Sequence, residues 1–180
     1  MIETWQALLA FWREAGPKKW FTKDTAFDEA VHARFLATHE AAASGGLADW
    51  ETAAEGALAL VIALDQFPRN MFRGSARAFA TDPLARQATN RAIAKGFDRS
   101  VPQDERQFFY LPFEHSELPA DQDRSVALFR ATGDVELLKW AELHADVIRR
   151  FGRFPHRNTA LGRVTTAEEQ AFLDAGGFSG

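Results

Sequence analysis

The segment 53–65 constrains the fold more than any other part of the chain. Ala54, Ala57, Leu58, Val61, Ile62 and Asp65 recur at helical spacing, and most of the residues between them are alanine or leucine. A helix that is apolar on nearly every side cannot lie on a surface, so other elements must enclose it. The rest of the chain offers helices for this purpose. No stretch alternates apolar and polar residues as a half-buried strand does. Apolar stripes of helical period recur instead, separated by glycine and proline stops. The expected fold is all-α: antiparallel helical hairpins in a single domain spanning 1–180, since 180 residues suffice for one core.

Helix boundaries follow from caps and breakers. Trp5, Leu8, Leu9 and Trp12 mark a first helix that Gly16-Pro17 stops. Lys18-Lys19-Trp20-Phe21 is a basic, aromatic connector. Asp24 or Thr25 opens a second helix with a Phe27, Val31, Phe35 stripe, ended by Ser44-Gly45-Gly46. Its His32 and His39 read as surface or edge residues. The helix through Ala57 is expected to end at Asp65. Thr81-Asp82-Pro83 then forms a start signal, a capping side chain followed by proline at the first position. Pro112 predicts a kink or restart within the apolar segment after Pro102, and Pro119 ends that segment. A further amphipathic helix covers 122–131. Asp134 caps the helix 135–151, whose stripe is Leu137, Trp140, His144, Val147 and Phe151, so His144 faces inward. Thr166-Ala167-Glu168-Glu169 is a capping box that starts a short last helix.

Composition removes several functional classes. A net charge of -4 gives no global basic field for a nucleic acid. The absence of cysteine excludes disulfides, thiolate metal sites and a cysteine nucleophile. The longest apolar run, from Ala57 to Leu64, is too short to span a bilayer. With no signal-like N-terminus, the expectation is a cytoplasmic protein.

Chemistry-bearing residues collect near helix ends. The connection Phe151-Gly152-Arg153-Phe154-Pro155-His156-Arg157-Asn158 runs on to Leu161-Gly162-Arg163, and it is longer and more cationic than a helix connection requires. Gln66-Phe67-Pro68-Arg69-Asn70 echoes it, followed by Arg73. Asp65 continues an apolar stripe, so its carboxylate needs a cation or a proton. Arg69, Arg73 and the later arginines are the candidate partners. Glu114 and Glu117 share a helix face, and His115 turns inward if that helix persists past Pro112. If these helix ends converge, they form a mixed-charge pocket. Arginines on turns match a small carboxylate or phosphate bidentately. The expected ligand-binding residues are Asp65, Arg69, Asn70, Arg73, Glu117, Arg153, His156, Arg157, Asn158 and Arg163. His115 and His144 are the candidate acid/base pair of a catalytic version of such a site. Asp65, Glu114, His115, Glu117, His144 and His156 are also metal-donor types, but they lack a diagnostic spacing, and no metal or cofactor is expected. Two other readings stand beside the pocket. One is a structural ion-pair network; the other is a helical module that binds a protein partner.

Several of these motifs carry a family resemblance. Leu64-Asp65-Gln66-Phe67-Pro68-Arg69-Asn70-Met71-Phe72-Arg73-Gly74, Ala78-Phe79-Ala80-Thr81-Asp82 and Leu111-Pro112-Phe113-Glu114-His115-Ser116-Glu117 resemble the bacterial domain-of-unknown-function family 924. So do the 151–158 stretch and Leu161-Gly162-Arg163. The resemblance covers nearly the whole chain. It implies an all-α, tetratricopeptide-like arrangement of hairpins and brings no established reaction with it.

Overall fold

A computed structural model describes residues 1–179. Among them the chain is helical throughout, without a strand. The α-helices are α1 (Trp5–Ala15), α2 (Pro17–Trp20), α3 (Thr25–Ala43), α4 (Ala54–Met71), α5 (Asp82–Ala94), α6 (Gln107–Glu114), α7 (Pro119–Thr132), α8 (Val135–Phe151) and α9 (Ala167–Asp174). The backbone divides into two compact units. The first holds Met1–Arg73 and Arg77–Phe109; the second holds Gly74–Ala76 and the residues from Tyr110 onward.

In the first unit α4 is the enclosed helix, buried continuously from Gly56 to Pro68. It packs most extensively against α3, then against α5 and α1. Gly56 permits the close approach of the Ala48–Thr52 turn, since a Cβ there would lie 2.2 Å from the Trp50 carbonyl oxygen. Aromatic residues fill the space between α1, α3 and α4. Trp12 meets Phe67 edge-on at 5.7 Å, and Phe35 lies 4.9 Å from Phe67. The Trp20 indole N–H donates to the Trp12 carbonyl at 2.7 Å, which satisfies its one polar group inside the cluster.

Several boundaries differ from expectation, each for a local reason. Helix α4 does not end at Asp65 but runs through Pro68 to Met71. A proline there cannot donate to the Leu64 carbonyl. The Thr81 hydroxyl supplies that bond instead, at 2.6 Å. Thr81 therefore precedes α5 without capping it through its side chain. Asp65 is accordingly a mid-helix residue, and the helix dipole does not govern its charge. His39 is not an edge residue: it is 5% exposed, and its Nδ1–H donates to the Ala63 carbonyl at 2.9 Å. Burial, the largest cause, lowers the His39 pKa despite that hydrogen bond.

In the second unit α7 and α8 form a hairpin closed at Gly133, whose φ of 76° is the left-handed conformation that favours glycine. Pro119 opens α7 rather than ending its predecessor. Asp134 caps α8 as expected, accepting from the backbone of Glu136 and Leu137. Trp140, placed on the inner stripe by spacing, is instead 50% exposed. The stripe turns inward through Ala141, His144, Ala145, Val147 and Ile148. Val147 and Ile148 pack with Phe154, against which Phe151, Phe172 and Phe178 close. The capping box of α9 is complete, with Thr166 and Glu169 each binding the other's backbone.

Candidate functional site

The predicted residues fall into two groups, one per unit. Asp65, Arg69, Asn70 and Arg73 belong to the first; His115, Glu117, His144, Arg153, His156, Arg157, Asn158 and Arg163 belong to the second. Each group forms its own network.

In the first unit Asp65 is fully buried and has the cation it needed. Arg69 lies 3.3 Å from its carboxylate and 2.9 Å from that of Asp82. The Gln66 amide donates to Asp65 at 2.7 Å. Burial works against the Arg69 charge, but Asp65 and Asp82 outweigh it and raise the pKa. One turn on, Arg73 grips Asp28 with two N–H groups at 2.8 and 2.9 Å, and the Asn70 amide donates to the same carboxylate. These motif residues tie α4 to the starts of α3 and α5. A small cavity of about 150 Å³ in this unit is lined by Leu47, Leu60, Leu64, Glu51 and Arg91 among others, and by none of the predicted site residues.

In the second unit the long connection wraps around two carboxylates. Glu117 accepts from the Phe154 backbone N–H at 2.8 Å and from the Arg163 fork at 2.7 and 3.0 Å. Burial pushes its carboxyl up, but Arg163, the Phe154 N–H and Arg157 together bring it below the ordinary range. Arg163 also donates to the Asn158 side chain and the Phe154 carbonyl. Glu169, 2% exposed, collects Arg153, Asn158 and the Thr166 backbone N–H. Its carboxyl is held at about 2, chiefly by the Arg153 hydrogen bond.

Histidines gather beside this frame. His144 is 7% exposed. Its Nδ1 lies 2.8 Å from the Trp140 carbonyl and 3.2 Å from Glu114 Oε1. Both neighbours are acceptors, so Nδ1 carries the proton and Nε2 is the basic nitrogen. Burial is the largest influence on this imidazole, and electrostatic interaction with His115, Arg157 and His156 adds to it. Together they lower its pKa to about 3. The contact with Glu114 is therefore a hydrogen bond from a neutral imidazole at pH 7, not an ion pair. The His115 ring stands 6.4 Å from that of His144. Arg157, 6% exposed, lies over the Phe154 ring and donates to the His115 carbonyl at 3.0 Å. His156 packs on Phe154 at 5.6 Å. The arrangement offers one buried guanidinium, two flanking imidazoles and one oriented, unprotonated imidazole nitrogen.

Sequence reasoning passed over several participants. The sequence does not single out Asp28, and it marks Asp82 only as part of a start signal and Glu169 only as a capping residue. Its place in the capping box was the one signal that its carboxylate is fixed. Nothing in the sequence marked Phe178, whose ring lies 4.3 Å from that of His144. Among the described residues, no three His, Asp or Glu side chains are grouped so as to hold a metal ion. No helix there is long and apolar enough to cross a membrane.

The whole fold has a solved counterpart. A protein of unknown function from Agrobacterium tumefaciens, ATU0120, is 50% identical, with a TM-score of 0.92 over 95% of this chain and 97% of its own. No curated protein matches the chain. A family described as bacterial protein of unknown function (DUF924) matches residues 8–177. With that span matched and its motifs assembled in both units, the chain is a member of the DUF924 family.

Proposed function

We propose that the second unit binds a small anionic metabolite at the histidine cluster, with Arg157 and His156 contacting the anion and His115 and His144 available for proton transfer. The observation that carries this reading is the environment of His144: a buried imidazole fixed at Nδ1, with the Arg157 guanidinium and the imidazoles of His115 and His156 around it. A bound anion would offset the Arg157 charge, and a nearby anion raises an imidazole pKa. Ligand binding thus converts a poor base into a useful one, while Glu114 at Nδ1 supports the imidazolium that forms. Asp65, Arg69, Asn70 and Arg73 would then serve the architecture of the first unit. Arg153, Asn158 and Arg163 would hold the connection that presents Arg157. The absence of cysteine fits a cytoplasmic setting.

The test is a thermal-shift and calorimetric panel of phosphates, phosphosugars and carboxylates on the wild type and Arg157→Ala. The reading expects an anion that stabilises the wild type and loses its effect in the variant, with the unliganded variant still folded. A variant that unfolds, with no responsive anion for the wild type, would favour a structural ion-pair network.

A second reading has an observation of its own. Trp140 and Leu143, one turn apart on α8, are 50% and 37% exposed. They favour a tetratricopeptide-like interaction module whose arginines serve structure alone. Partner binding lost in Trp140→Ala and kept in Arg157→Ala would select it.

A further inference from the structure

The ring on His144 belongs to a segment outside the helices. Helix α9 ends at Asp174, and the chain turns at Gly176, whose φ of 76° favours glycine, before Gly177 and Phe178. The backbone N–H groups of Gly176 and Gly177 close back on Leu173 and Phe172. This turn carries the Phe178 ring onto the histidine cluster. The ring lies 4.3 Å from His144, 5.3 Å from His156 in an edge arrangement, and 6.2 Å from Phe154. Phe154 is fully buried, whereas Phe178 is only half-buried. The ring therefore covers the cluster from its solvent side.

We infer that Phe178 occupies the ring subsite of this site, and that the ligand is an aromatic carboxylate whose ring displaces Phe178 while its carboxylate meets Arg157. This rests on the anion-site reading above. The subsite already accepts a planar six-membered ring against imidazoles and Phe154. Exchange of one ring for another changes little apolar area, so the carboxylate decides the competition. Two groups a free benzene ring would not need stand close by: the His156 imidazole against the Phe178 ring, and the Arg157 guanidinium over Phe154, the neighbour of that ring. A planar guanidinium is the natural partner of a carboxylate. Phe178 acts as an intramolecular competitor for the ring subsite alone: the fraction of time it leaves that subsite open scales the apparent affinity of a ligand whose own ring must enter it, and an anion without a ring is unaffected.

The experiment measures dissociation constants of benzoate, acetate, benzyl alcohol and inorganic phosphate for the full chain, by calorimetry and by the histidine side-chain NMR signals. Wild type, Phe178→Ala and Phe178→Leu are compared, with far-UV circular dichroism confirming their helix content. Phe178→Ala is expected to tighten benzoate by about tenfold, as removal of a cover present about nine-tenths of the time would. Phe178→Leu, which keeps an apolar cover without a planar ring, falls between. Benzoate binds tighter than acetate or benzyl alcohol, and both substitutions leave phosphate within about twofold, on the same competition argument. Unchanged or weaker benzoate binding in Phe178→Ala would overturn the inference, as would benzoate binding no tighter than acetate. If phosphate still shifts the His144 and His156 signals in an Arg157-dependent way, the anion site survives and only the aromatic ligand falls. If neither anion shifts them, both readings fall.

Discussion

The proton on His144 links sequence to behaviour at the scale of single residues. Its pKa is lowered from 6.5 to about 3, first by burial, and that of His39 is lowered for the same first cause. In the unfolded chain both imidazoles titrate near 6.5. The folded state thus binds fewer protons than the unfolded state below that pH, and stability falls as the solution is acidified. The stabilisation is fully present above pH 6.5, and the His144 share is lost progressively down to its folded value near 3. One histidine that stays neutral when folded should cost about 1.5 kcal/mol between pH 6.5 and 5. Urea unfolding at pH 7, 6 and 5 should show this decline, and His144→Gln should flatten its share of it. Equal slopes for wild type and variant would mean that His144 is protonated in the native state. The inward direction of His144 was legible from its spacing with Val147. His39 was equally legible, since it lies four residues beyond Phe35 on the line of Phe27 and Val31, but its polar character displaced the periodic signal. Asp65 was read as buried and in need of a cation because apolar neighbours fixed its direction. The identity of its partners was not legible, because Asp82 comes from another helix.

Among the elements, α4 shows how a proline is accommodated without ending a helix. The Leu64 carbonyl loses its helical donor at Pro68 and takes one from Thr81. Thr81→Val keeps the shape and removes the donor, leaving a buried carbonyl unsatisfied. It should cost on the order of 1–3 kcal/mol in the denaturation midpoint. If Thr81→Val is neutral, α4 satisfies that carbonyl by other means. Gly56 sets the second constraint on this helix. Gly56→Ala drives a Cβ into the Trp50 carbonyl, so it should destabilise by about 1–3 kcal/mol, against the usual gain from alanine in a helix. Sequence rules for breakers treat Pro68 as a stop because they cannot see a donor that arrives from Thr81. The local caps, Asp134 and the Thr166–Glu169 box, were legible because their partners lie within one turn. Thr166→Ala should cost about 1 kcal/mol by the usual capping scale and loosen the α9 start that Glu169 depends on. Chemical denaturation alongside amide exchange in α9 measures both.

At the scale of the whole chain, the all-helical class followed from one enclosed helix and the lack of alternation. Where the motif residues would assemble did not follow. Spacing does not say which carboxylate each motif arginine meets; within each unit the fold makes that choice, with Arg73 reaching Asp28 across 45 positions and Arg163 reaching Glu117 across 46. Such pairings are set by packing and leave no periodic trace. With most of the motif arginines held by carboxylates, Arg157 and the buried His144 imidazole become the centre of the account. An anion bound there at 100 times its dissociation constant should stabilise the protein by about 2.7 kcal/mol. The most direct measurement is the His144 titration itself, followed by side-chain NMR from pH 8 to 5 with and without saturating phosphate. A neutral His144 throughout in the free protein, with a pKa raised by phosphate in the wild type but not in Arg157→Ala, is the predicted result. A His144 that titrates near 6.5 and ignores phosphate would contradict the account.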